Sequence, residues 1–92
     1  MTQPVTLDIV IPNRLGLHAR AAAKFVQTTQ HYTSSLKVCR GEKTVNGKSI
    51  MGVMMLAATQ GTEIHLEAEG EDAPMLVEAL KELIEDRFGE AE

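Results

Sequence analysis

Along Val5-Thr6-Leu7-Asp8-Ile9-Val10-Ile11 the apolar residues Val5, Leu7, Ile9 and Ile11 alternate onto one face, the period-two sign of a half-buried strand. Pro12-Asn13-Arg14-Leu15-Gly16 breaks that pattern with turn chemistry. From Ala19 to about Gln30 the period lengthens. Ala19, Ala22, Ala23 and Val26 fall at i, i+3, i+4 and i+7, which lines one face of a helix, and the run of small helix formers supports it. His31 to Ser35 reads as a connector, Leu36 to Arg40 as a short strand, Gly41-Glu42 as a tight turn and Lys43 to Val45 as the hairpin partner. After Asn46-Gly47, Ser49 is placed to cap a short apolar helix from Ile50 to about Leu56.

Gln60-Gly61 marks another turn, and Glu63-Ile64-His65-Leu66-Glu67-Ala68-Glu69 alternates as a strand. Asp72 is a candidate N-cap, with Pro74 in the first helical turn, where a missing N–H is tolerated. The last helix is expected to run to about Phe88, burying Leu76, Leu80, Leu83 and Ile84 at i, i+4, i+7 and i+8. The order β-α-β-β-α-β-α implies an α+β open-faced sandwich, with helices packed on one side of an antiparallel sheet.

Length and composition narrow the function classes. Ninety-two residues, 43% hydrophobic and 24% charged, suit a single globular domain over residues 1–92. The longest apolar stretch, Ile50 to Ala58, is interrupted by Gly52 and is far shorter than the ~20 residues of a membrane helix, so no membrane insertion is expected. Met1-Thr2-Gln3-Pro4 lacks the basic and apolar regions of a signal peptide, and a cytoplasmic protein is expected. The single cysteine, Cys39, excludes an internal disulfide framework and a cysteine-rich zinc site.

The net charge of −4 hides a polarity along the chain: residues 1–48 balance at +5 and residues 49–92 at −9. An acidic total with three aromatics weighs against nucleic-acid binding, while the basic first half can offer a local positive surface to an anion or an acidic partner. The other reading of these charges is a set of solvated faces.

The chain carries no CxxC, HExxH, phosphate-binding glycine loop or serine-hydrolase elbow, so neither a metal nor a cofactor is expected. What remains is Arg14-Leu15-Gly16-Leu17-His18-Ala19-Arg20, a glycine-containing turn that runs straight into a helix. A helix start presents unpaired N–H groups and a positive dipole end, a ready place for a phosphate. A neutral imidazole beside it is a nucleophile, and the Arg20 guanidinium can pair with phosphoryl oxygens through its planar fork. On these grounds alone a lone histidine at a helix start is more often a surface residue, and His18 reads first as that.

The stretch Asn13-Arg14-Leu15-Gly16-Leu17-His18-Ala19-Arg20-Ala21-Ala22 closely resembles the active-site segment of the histidine-containing phosphocarrier HPr family of the bacterial phosphotransferase system. Val45-Asn46-Gly47-Lys48-Ser49-Ile50-Met51-Gly52-Val53-Met54 resembles that family's regulatory-serine region, and Gln60 to Asp72 its last strand and helix entry. The resemblance implies an HPr-like fold, a four-stranded antiparallel sheet with three helices. It implies that His18 takes a phosphoryl group on Nδ1 from phosphorylated enzyme I, charged by phosphoenolpyruvate, and passes it to an enzyme IIA component. Such a protein is a carrier with a phosphohistidine intermediate rather than a conventional enzyme, and a monomer is expected.

By the same resemblance Arg20 stabilises the phosphate. Ser49 is a regulatory phosphorylation site in members that have an HPr kinase/phosphorylase, or else only a helix cap. Leu17, Ile50, Met51 and Met54 would form the apolar docking surface; the competing reading of the methionine stripe is core packing. A regulatory module acting through Ser49 without phosphotransfer is the alternative function, and the presence of both His18 and Arg20 argues against it. The family usually has proline after the active-site arginine where this chain has Ala21, which bears on the rigidity of the helix start. The lead-in Asn13-Arg14-Leu15-Gly16 resembles the nitrogen-related branch of the family and the Ser49 segment the sugar-linked members.

Overall fold

The expected elements form in the expected order. In the computed structural model, which describes residues 3–92, β1 spans Val5–Val10, α1 Ala19–Thr29, β2 Ser35–Arg40, β3 Lys43–Asn46, α2 Ile50–Met55, β4 Glu63–Glu69 and α3 Ala73–Glu85. The four strands make one antiparallel sheet in the order β1-β4-β2-β3. Register explains why one face of it is apolar. Leu7 pairs with Leu66, Leu66 with Val38 and Val38 with Val45, so one row of apolar side chains crosses all four strands. The next row, Asp8, His65, Cys39 and Thr44, points the opposite way, because side chains alternate along a strand. On that outer row Asp8 Oδ1 lies 2.6 Å from His65 Nδ1, and Cys39 Sγ lies 3.3 Å from Thr44 Oγ1.

The helices cover the apolar row. Their buried side chains include Phe25 and Val26 of α1, Val53 of α2, and Leu76, Leu80 and Ile84 of α3, which close one core with Leu36, Val38, Ile64 and Leu66 of the sheet. The buried face of α1 is rotated from the expected one. Ala21, Ala22, Phe25, Val26 and Thr29 are buried whereas Ala19 is exposed, because the bulk of Phe25 sets which side of the helix turns inward.

Two departures concern α3. Asp72 stands at the N-cap of α3 as expected, but its side chain makes no capping bond: the carboxylate instead accepts from Thr33 N at 2.8 Å, from Ser34 N at 2.9 Å and from the Ser34 hydroxyl. It thus pins the connector that leads into β2. Hydrogen bonds from the Ser34 side chain and the Thr33 backbone hold the Asp72 carboxyl down from an ordinary 3.8 to about 2. The helix also stops at Glu85 rather than continuing to Phe88. Arg87 and Phe88 take positive φ, 56° and 55°, and form a separate 3-10 turn with Gly89. The turn drops Phe88 into the core, where it is fully buried against the helices. Burial of a phenyl ring contributes about 3–5 kcal/mol by the measure of its truncation to alanine, enough to hold the chain in that reversal. No described helix is long and apolar enough to cross a membrane.

Candidate functional site

The turn before α1 is built around two residues. Gly16 sits at φ +68°, and a Cβ there would come 2.4 Å from the Ala58 carbonyl oxygen, so a side chain is barred by both conformation and space. That same carbonyl accepts from Leu17 N at 2.9 Å, which fixes the last step before the helix. Asn13, fully buried, donates from Nδ2 to the Gly16 carbonyl at 2.9 Å and closes the turn from inside. His18 then takes the N-cap position of α1 with extended backbone (φ −72°, ψ 176°), and its carbonyl accepts the first helical bond, from Ala22 N at 2.8 Å.

The His18 side chain does not cap the helix, and the first turn holds no acidic residue. The N–H groups of that turn therefore have no side-chain acceptor, and the positive end of the dipole is uncompensated within the helix. The ring points instead toward the segment that follows α3, where His18 Nε2 lies 2.5 Å from Glu90 Oε2. The Glu90 carboxylate also accepts from Asn13 Nδ2 at 3.0 Å. Burial alone would raise the Glu90 carboxyl, but hydrogen bonds from His18 and Asn13, with the positive charge of Lys24 nearby, outweigh it and leave it lowered.

Arg14, Leu15, His18, Arg20, Glu90, Ala91 and Glu92 line a hollow of about 470 Å³ at this end of α1. Arg14 faces Glu92 at 2.9 Å as an exposed ion pair. Arg20 is exposed and makes no ion pair or side-chain hydrogen bond among the described residues, so its guanidinium is available to an anion in the hollow. A larger hollow of about 620 Å³ lies beside β2 and β3, but most of its polar side chains are already engaged: Lys48 Nζ donates to the Tyr32 carbonyl at 2.6 Å, and Ser34 is bound to Asp72. The chemistry thus collects at the smaller of the two. Among the described residues no cluster of three or more His, Cys, Asp or Glu side chains is arranged to hold a metal ion.

Ser49 caps α2, accepting from Gly52 N at 3.1 Å. Of the residues expected on the docking surface, Ile50, Met51 and Met54 are exposed, Met51 by 70%, and Met55 joins them. The core-packing reading of Ile50, Met51, Met54 and Met55 is therefore wrong, and it is Val53 that this helix turns into the core. Leu17 is a correction: it is only 5% exposed, because Gly16 turns the chain so that its side chain enters the core while Leu15 faces solvent. His31 is exposed in the connector after α1, and His65 lies on the sheet's outer face, both away from the residues that line the His18 hollow. Glu90 is the residue that reading the sequence missed. Its only local signal was Phe88-Gly89, a helix-stopping pair just before it.

Comparison with known proteins agrees with this geometry. The profile of a family described as "PTS HPr component phosphorylation site" matches residues 5–86. The chain is 55% identical over 87 residues to the phosphocarrier protein HPr of Pseudomonas aeruginosa, covering 94% of this chain and 97% of that one. It is 52% identical to the HPr of Neisseria meningitidis serogroup A, covering 92% and 96%. Among solved structures, HPr-C-His from Thermoanaerobacter tengcongensis superposes with a TM-score of 0.92 at 46% identity, covering 96% of this chain and 99% of that one.

Proposed function

The chain belongs to the HPr family of the phosphotransferase system, and on that premise we propose that it is a phosphoryl carrier in which His18 is the acceptor. The supporting observation is the uncapped start of α1. His18 stands at the N-cap beside free N–H groups, with an unpaired guanidinium two residues on. A phosphoryl group on the imidazole would meet the dipole end and the Arg20 fork together. Both are positive, and neither requires rearrangement of the backbone. The ring is only partly exposed, at 28% for its side chain, so a partner reaches it through the mouth of the hollow.

In this reading phosphorylated enzyme I supplies the phosphoryl group and an enzyme IIA component receives it, in the cytoplasm, for sugar uptake or for regulation. Ile50, Met51 and Met54 form the apolar part of the surface presented to both partners. Methionine suits such double use because it is unbranched and polarizable. Ser49 is the second proposed site, open to an HPr kinase/phosphorylase. A phosphate there adds about −1.5 to −2 charges at neutral pH beside exposed Ile50 and Met51. Docking must then desolvate that charge, so Ser49 phosphorylation opposes phosphorylation of His18.

The test is incubation with enzyme I and phosphoenolpyruvate followed by intact mass measurement. One acid-labile phosphoryl adduct located on His18 is expected. No adduct, or an adduct on another residue, overturns the reading.

A further inference from the structure

After α3 the chain reverses and lays a carboxylate against His18. Phe88 anchors the reversal in the core, Gly89 turns it at φ +76°, and Lys24 Nζ donates to the Phe88 carbonyl at 2.6 Å. Beyond Glu90 the segment is tied again, with Arg14 N donating to the Glu92 carbonyl at 2.5 Å. Glu90 is thereby held on both sides. One of its oxygens takes a hydrogen bond from buried Asn13 at 3.0 Å, and the other faces His18 Nε2 at 2.5 Å. Asn13 is itself locked by the Gly16 carbonyl, so the orientation of the carboxylate is set by the same turn that delivers His18.

We propose that Glu90 is a positioning residue for phosphoryl transfer, holding His18 in the Nε2–H tautomer so that Nδ1 carries the nucleophilic lone pair. This rests on the carrier function proposed above and adds to it the residue that selects the reacting nitrogen. An ionised carboxylate accepts hydrogen bonds and donates none, so the hydrogen between the two groups belongs to Nε2. Nδ1 has no hydrogen-bond partner among the described residues. A carboxylate that orients an imidazole through one nitrogen and frees the other is a general device for histidine nucleophiles and bases.

The transfer balances without further groups. The Nδ1 lone pair forms the N–P bond while the bond from phosphorus to the donor's leaving atom breaks with its electron pair. The ring gains one positive charge and keeps its Nε2 proton, directly against the Glu90 carboxylate. On onward transfer the N–P bond breaks, its electrons return to Nδ1, and the ring leaves as a neutral imidazole. Glu90 side-chain exposure is 16%, so its charge acts on the ring with reduced screening by water.

Potassium phosphoramidate, a small phosphoryl donor, tests this on the full chain without a protein partner. Rates come from intact mass, and the phosphorylated nitrogen of His18 from 15N and 31P NMR of labelled protein. Wild type is expected to form the Nδ1 adduct alone. Glu90→Ala is expected to react about tenfold more slowly, the scale of a lost charge-assisted hydrogen bond, and to give a mixture containing the Nε2 adduct. Glu90→Gln keeps an acceptor for Nε2–H and is expected to restore the Nδ1 adduct with an intermediate rate. A Glu90→Ala variant that reacts as fast as wild type, or that forms only the Nδ1 adduct, overturns the positioning role while His18 stands as the acceptor. Undiminished labelling in His18→Ala overturns the carrier function beneath it.

Discussion

Two helices of this protein begin at a residue singled out for chemistry, and they begin in opposite ways. At α2 the Ser49 side chain turns back onto its own helix and accepts from Gly52 N. At α1 the His18 side chain turns away, toward Glu90, and leaves its helix start open. The first arrangement is self-satisfied and stabilises a six-residue helix that would be marginal alone. The second keeps polar groups in reserve for an anion. The proposed site for transfer and the proposed site for modification thus differ in where the cap comes from. A phosphate on Ser49 would meet a helix start whose Gly52 N–H already has a side-chain acceptor, whereas one on His18 would meet a start with none.

The strongest way to break this contrast is His18→Ala. Incorporation of acid-labile phosphate from phosphoenolpyruvate is expected to vanish while thermal unfolding shifts no more than in Glu90→Ala, since the removed side chain caps nothing and loses only its contact with Glu90. A loss of stability beyond that of Glu90→Ala would mean that the open start is not open. Next in size is Arg20→Lys, which keeps the charge and loses the bidentate fork. Transfer to the IIA partner is expected to slow roughly tenfold or more, on the scale of charge-assisted hydrogen bonds. Rates equal to wild type would show Arg20 to be merely solvated.

At Ser49 the expected effects are smaller and of two kinds. Ser49→Ala should lose about 1 kcal/mol of stability as the cap to Gly52 disappears, read from the urea midpoint. Ser49→Asp should accept phosphate from enzyme I several-fold more slowly than Ser49→Ala, because only the former brings a charge to the docking surface. Equal rates in the two variants would remove the electrostatic block.

The start of α3 supplies a third case and the mildest test. Asp72 turns its carboxylate to the Thr33–Ser34 connector rather than to its own helix. With its folded value at about 2 against an ordinary 3.8, its contribution is fully present above about pH 4 and is lost as pH falls through about 2. Stability measured by urea unfolding should therefore decline over that window, and decline less steeply in Asp72→Asn. Parallel curves would show that the carboxylate adds nothing beyond the neutral amide.

Neighbour-to-neighbour patterns decided most of the fold. β4 lies at Glu63–Glu69, the segment whose alternation marked it, and Ser49 caps the short helix its position foretold. His18 at a glycine turn before a run of alanines was likewise a local signal, because the turn and the helix start are contiguous in the chain. Where side chains chose between a local and a distant partner, the sequence was silent or misleading. Asp72 had the spacing of a cap, yet residues 38 and 39 positions away offered it two backbone N–H groups at once. Leu17 read as surface beside a reactive histidine, and a carbonyl at Ala58 drew it inward. Glu90 lies 72 residues from His18. Periodicity reports only which face of an element is apolar. The meeting of Glu90 with His18 depends on the reversal at Arg87–Gly89, and that reversal is held by the burial of Phe88 in a core that exists only once all seven elements have packed.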